Sequence, residues 1–139
     1  MKDKPNINVY EEETFLVGEE TFVDSTSEKG FAVIFEDNTE TGYFYAVDRE
    51  NGMEVLDALH VYNVVDVMDK KQPSVLKIFW TNDSTKSLLV INDYCHAVFD
   101  FVNNAGYCRN AFPESHSEWT KIQSRILTDG LLSKLLNQV

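Results

Sequence analysis

Apolar and polar positions alternate in short runs along most of this chain. The runs are separated by clusters of Gly, Asn, Asp and Ser. This period-two pattern with frequent turn residues predicts β-strands joined by tight connections. Strands are expected over residues 14–17, 21–23, 31–36, 41–47, 54–62, 75–81, 86–91, 94–102 and 107–109. Asn51-Gly52 is a dipeptide that favours a type I′ hairpin turn, because both central residues tolerate positive φ. After Pro113 the period changes. Ser115 and Glu118 have the spacing of a capping box, and Trp119, Ile122 and Ile126 follow at helical intervals. Leu131, Leu132, Leu135 and Leu136 extend the apolar face, with Asp129-Gly130 as a point where the helix kinks or splits.

Within this pattern lies an internal echo. Residues 34–57 run from Ile34-Phe35 through Asn38 and Thr41 to Val47-Asp48 and Asp57. Residues 78–100 run from Ile78-Phe79 through Asn82 and Thr85 to Ile91-Asn92 and Asp100. Short links between strands imply antiparallel meanders, not parallel crossovers. The expected fold is therefore α+β. It consists of antiparallel β-meanders, read as two related three-stranded units, with one C-terminal helix packed on the sheet. The expected organisation is a single domain over 1–139, with a loose tail at 1–6, a β-rich core at 31–110 and the helix at 115–137.

Composition narrows the class. Hydrophobic residues make up 43% and aromatics 12%, which fits a globular chain. No apolar run approaches the roughly 20 residues a membrane helix needs. The first residues lack the apolar stretch of a signal peptide, so a cytoplasmic location is the expectation. Cys95 and Cys108 are expected to be free thiols. The formal charge is −11, and it is unevenly placed: residues 1–60 carry 15 acids against 4 bases, the rest 8 against 8. Such a field repels nucleic acid and anionic membrane and draws a basic protein.

Candidate chemistry is sparse. Cys95, His96 and Cys108 do not make a metal set, since strand neighbours point to opposite faces, and neither a metal nor a cofactor is assigned. On the 94–102 strand, Cys95, Ala97, Phe99 and Phe101 are expected on one face, with Tyr94, His96, Val98 and Asp100 on the other. In the echo Asp57 corresponds to Asp100, with His60 just beyond it, so two His and two Asp on related strands are expected to line a cleft. Asp57, His60, Tyr94, His96, Asp100 and Arg109 thus form the candidate binding set. A general base with an orienting carboxylate is conceivable there, but no nucleophile has a recognisable context. The plainer reading of these residues is half-buried strand positions bonded to partners. The chain also holds 17 aromatics, enough to supply a partner surface as well as a core.

Several strings carry a resemblance: Phe35-Glu36-Asp37, Thr41-Gly42-Tyr43-Phe44-Tyr45-Ala46-Val47-Asp48, Leu56 through Asn63, Ile91 through Phe101, and Gly106-Tyr107-Cys108-Arg109. Over about residues 30–113 the chain resembles a family of small uncharacterised bacterial proteins. The resemblance implies a bacterial origin and a single-domain architecture, and it transfers no catalytic residue. Size and charge are also similar to those of immunity proteins that neutralise secreted toxins. The leading expectation is a non-enzymatic protein-binding module engaging a basic protein. The alternatives are a small-ligand binder or hydrolase-type enzyme using the Asp/His set, and a homo-oligomeric structural protein, with a homodimer as its simplest form.

Overall fold

The computed structural model describes residues 6–114, 118–122 and 124–137. Nine strands form two antiparallel sheets, and one helix follows them. The strands are β1 (Ile7–Phe15), β2 (Thr21–Thr26), β3 (Ala32–Asp37), β4 (Thr41–Asp48), β5 (Glu54–Asn63), β6 (Ser74–Thr81), β7 (Lys86–Ile91), β8 (Tyr94–Asp100) and β9 (Ala105–Cys108); the helix α1 is Asp129–Leu136. One sheet has the order β1-β6-β7-β8-β9, the other β2-β3-β4-β5. The fold is α+β, as expected.

The sheets pack face to face. Val23, Val33, Phe35, Phe44 and Leu59 from the four-stranded sheet meet Leu76, Ile78, Trp80, Leu89, Ala97 and Phe99 from the five-stranded one. Phe44 and Phe99 bring their ring centroids to 5.2 Å, and the buried Trp80 indole donates to Ser25 Oγ at 2.9 Å. Both contacts cross from one sheet to the other, satisfying the one polar atom that Trp80 carries inward. On its far side the five-stranded sheet is covered by α1 and the segment leading into it: Leu135 and Leu127 pack with Leu88, Val98 and Cys95.

The echo is a structural one in its first hairpin. In β3–β4, Ile34 pairs with Tyr45; in β6–β7, Ile78 pairs with Leu89. Adding 44 to each number of the first pair yields the second. The second hairpins differ. Ile91 and Tyr94 close a two-residue turn in which Asn92 and Asp93 both have positive φ, the geometry of a type I′ hairpin. The turn after β4 is longer. There Asp48 caps a 3-10 turn over Arg49–Asn51, accepting from Glu50 N, and Gly52 and Met53 adopt positive φ. The type I′ turn expected at Asn51-Gly52 is thus replaced by a capped 3-10 turn, because Asp48 offers the backbone a local partner.

Two further expectations are corrected. β1 begins at Ile7 and takes Glu11, Glu12 and Glu13 into an edge strand against β6. Asn6, assigned to the tail, is tied in at both ends: its side chain donates to Leu136 O, and its carbonyl accepts from Asn82 N. The C-terminal helix begins at Asp129, not 115, with Thr128 as its cap accepting from Leu131 N. Ser115 of the expected capping box lies outside the described residues. Residues 118–122 and 124–128 form a non-helical strap along β9. Cys108 N donates to Arg125 O, Leu127 N donates to Cys108 O, and Ile126 bridges Cys108 in parallel. The strap satisfies an otherwise open sheet edge, and that long-range demand overrides the local helical spacing.

Candidate functional site

The four-stranded sheet has two faces of different character. Its cross-strand rows follow from the register. The rows Val23–Phe35–Phe44–Leu59 and Ser25–Val33–Ala46–Asp57 point into the core. The alternate rows are Phe22–Glu36–Tyr43–His60, Asp24–Ile34–Tyr45–Ala58 and Thr26–Ala32–Val47–Val55, and these point outward. No Lys or Arg occupies any of these twelve outward positions.

The helix α1 packs on the equivalent face of the other sheet, while on this face Ala32, Ile34, Val47 and His60 are buried among their neighbours. Phe22 is 63% exposed there, Val55 54% and Phe112, at the margin, 53%. Tyr43 and Tyr45 stack with centroids 5.8 Å apart and planes 14° apart. Tyr45 OH donates to Glu36 Oε1 over a long 3.5 Å, and burial together with the Glu36 charge pushes its phenol pKa up. Beneath the aromatics, Ala32, Ile34 and Val47 form a small apolar cluster with Met53. The face is thus an aromatic and aliphatic surface on which, among the twelve row positions, the carboxylates of Asp24 and Glu36 are the acids.

His60 ends one outward row. Its ring sits edge-on to Tyr43 and Phe112, at 5.3 and 5.8 Å. Both nitrogens are engaged, Nδ1 with Asn110 Nδ2 at 2.6 Å and Nε2 with Asn63 Oδ1 at 3.0 Å. With Nε2 donating to Asn63 Oδ1 and Nδ1 accepting from Asn110 Nδ2, both partners are matched. This occupies the two groups a general base would need free.

The rest of the candidate set is dispersed. Asp57 faces the core and holds Arg125 through both oxygens, at 3.1 and 3.0 Å. Asp100 closes a turn, accepting from Val102 N, Asn103 N and Asn103 Nδ2. Tyr94, His96 and Arg109 do come together. The Arg109 guanidinium lies 4.6 Å from the Tyr94 ring centroid, and Tyr94 meets His96 edge-on at 4.9 Å. Arg109 also binds Cys95 O and Asp129, so it anchors the start of α1 to β8. Burial, and then the Arg109 charge, lower the His96 pKa to about 4.

The face assignment of β8 is corrected. Leu89 pairs with Ala97 and Val90 with Cys95, leaving His96 as an extra residue in the strand. This bulge turns Cys95 to the helix side with Val98, while Ala97 and Phe99 stay in the inter-sheet core. Cys95 and Cys108 accordingly lie in different clusters, and both are free.

Sequence reasoning missed Phe22, Asp24, Glu36, Asn110, Phe112 and Arg125. A signal existed for the first two: Phe22-Val23-Asp24 alternates around the buried Val23. None existed for Asn110 or Arg125, whose partners are 50 and 68 residues away.

Comparison with known proteins adds kinship without chemistry. The sequence pattern of a family described as "Uncharacterized protein conserved in bacteria (DUF2251)" matches residues 15–136. An uncharacterized protein of Haemophilus influenzae is 46% identical over 100 residues, covering 70% of this chain and 62% of that one. The matched region thus spans less than two-thirds of that relative's length. No solved structure matches the chain. No helix among the described residues is long and apolar enough to cross a membrane.

Proposed function

We propose that this chain, which belongs to the DUF2251 family of uncharacterized proteins conserved in bacteria, is a non-enzymatic protein-binding module that seats a basic protein on the outer face of its four-stranded sheet. The observation that carries this reading is the row Phe22–Glu36–Tyr43, in which a 63% exposed phenylalanine stands beside a carboxylate with no base on the face. A large exposed aromatic is costly to keep in water, and aromatics with a few charges are what binding hot spots use. The −11 net charge adds long-range attraction for a basic partner and speeds encounter. An immunity-like role against a basic toxin is the setting that size and charge suggest. A reducing cytoplasm as the meeting place fits two buried free thiols.

The test is capture of partners from the native host by the immobilised full chain, at low and high salt, with Phe22→Ser and Glu36→Lys variants alongside. A specific basic partner should be retained at low salt, released at high salt, and lost with either variant while each remains folded. Retention unchanged by both variants would move the interface elsewhere, and capture of no partner at either salt would end the proposal. Light scattering supplies the remaining arm: a wild-type dimer that Phe22→Ser converts to monomer would make a second copy the occupant of this face.

A further inference from the structure

A separate cleft lies at one end of the sandwich, where the loop before β3, the 3-10 turn after β4, the loop after β8 and the strap converge. It encloses about 330 Å³ and is floored by Phe31, Leu56, Phe101 and Trp119. Phe31 and Phe101 stack at 4.8 Å with planes 15° apart, and Phe101 meets Trp119 edge-on at 5.6 Å. Leu56 reaches the cleft because it is the extra residue of a bulge in β5: Ala46 pairs with Asp57 and Val47 with Val55. Each wall thus comes from a different part of the chain, and stacked aromatic side chains hold the floor in place.

The mouth carries Lys29 and Arg49. Between residues 6 and 60 these are the only bases, so the acidic half of the chain places both at one opening. Neither side chain has a hydrogen bond or ion pair among the described residues. Two acids are nearby. Asp48 is occupied by its own turn, accepting from Glu50 N and Asn51 Nδ2. Asp48 and Glu50 balance Lys29 and Arg49 in formal charge, so the lining is locally neutral within a strongly negative protein, and its two cations are the unpaired groups among the described residues. A concave site of a few hundred cubic ångströms with aromatic walls and a few polar groups has the form of a small-molecule pocket.

We infer that this cleft binds a small flat aromatic molecule bearing an anionic group, its ring against Phe31, Phe101 and Trp119 and its anion between Lys29 and Arg49. The two sources of the anion, carboxylate and phosphate, share this chemistry and are separated by the probes. The binding needs no covalent step, and its cleft shares only Val47 with the outer sheet face.

The test uses the ¹⁵N-labelled full chain and three unlabelled probes: indole-3-acetate, 3-indoxyl phosphate and the neutral indole-3-ethanol. The chain has two tryptophans, so two indole N–H signals report. The Trp119 signal should shift saturably, and the buried Trp80 signal should hardly move. The better anion should bind about five- to tenfold tighter than the alcohol, the size two exposed charge contacts supply. The Lys29→Ala/Arg49→Ala double variant, with its spectrum otherwise intact, should lose that preference. The inference is overturned if neither anion shifts Trp119 saturably, if the alcohol binds as tightly as both anions, or if the double variant keeps the preference. Phe22→Ser should leave all three titrations unchanged; loss of binding there would instead assign the probes to the outer sheet face.

Discussion

Arg125 Nη2 sits 3.0 Å from Asp57 Oδ2 and 3.1 Å from Asp57 Oδ1, in a pair whose side chains are 3% and 6% exposed. Arg125 Nη1 also donates to Ala58 O, while Nε has no partner among the described residues. The pair fastens the strap to β5, joining residues 68 apart in the chain. Charges taken this far from water depend on each other, and deleting one strands the other. Arg125→Ala should therefore destabilise the protein by about 3–5 kcal/mol. Replacing both residues by apolar ones, as in Asp57→Leu/Arg125→Met, should recover much of that loss. Urea unfolding of the three chains measures it; a single variant as stable as wild type would show that the pair does not hold the strap.

Gly106 on β9 lies against the same aspartate. A Cβ there would stand 2.8 Å from Asp57 Oδ2 and 2.8 Å from Phe99 Cε1. Asp57 is pinned by Arg125 and Phe99 is fully buried, so neither can give way. Gly106→Ala should cost about 1–3 kcal/mol, the range for overpacking a filled core. A shift in thermal midpoint reads it directly.

His96 ties stability to pH. Burial, then Arg109, lower its pKa from 6.5 to about 4. The unfolded chain therefore takes a proton at this ring below about pH 6.5, where the folded protein does not. The stability this group contributes is whole above pH 6.5 and falls away toward pH 4, by up to about 3 kcal/mol. His96→Gln should flatten the difference between unfolding free energies at pH 7.5 and 4.5. Parallel profiles for both chains would count against it.

The two cysteines should be silent in the native state. Burial pushes the Cys95 thiol up to about 11 and raises that of Cys108, whose sulfur also donates to Phe112 O at 3.3 Å. Thiolates are the reactive form, and at neutral pH few would exist. Ellman's reagent should modify neither cysteine in buffer and both in denaturing urea. Rapid native labelling of one thiol would show that its cover opens readily.

The strand content was legible because alternation is a local signal. Lys86–Ile91 was bounded correctly from the sequence, and most other strands to within a residue or two. Tyr43-Phe44-Tyr45 reads on its face as one core ring between two outward ones, and Phe44 is indeed fully buried. The acidic run in β1 concealed an edge strand, since Glu is a poor strand former and only pairing with β6 makes it one. Trp119, Ile122 and Ile126 concealed the strap, since their spacing suits a helix while the open edge of β9 wanted a partner.

The sequence alone determined the local units: where the chain is extended, where it turns, that the β3–β4 hairpin is repeated in β6–β7, and that the negative charge belongs to the first half. These depend on neighbours a few residues apart. The tertiary structure decided which hairpin joins which sheet, that β1 pairs with β6 while β2 pairs with β3, and that Asp57 meets Arg125. It also decided the faces. One extra residue at His96 reverses the side to which Cys95 points, because strand side chains alternate with a period of two and a single insertion inverts everything beyond it.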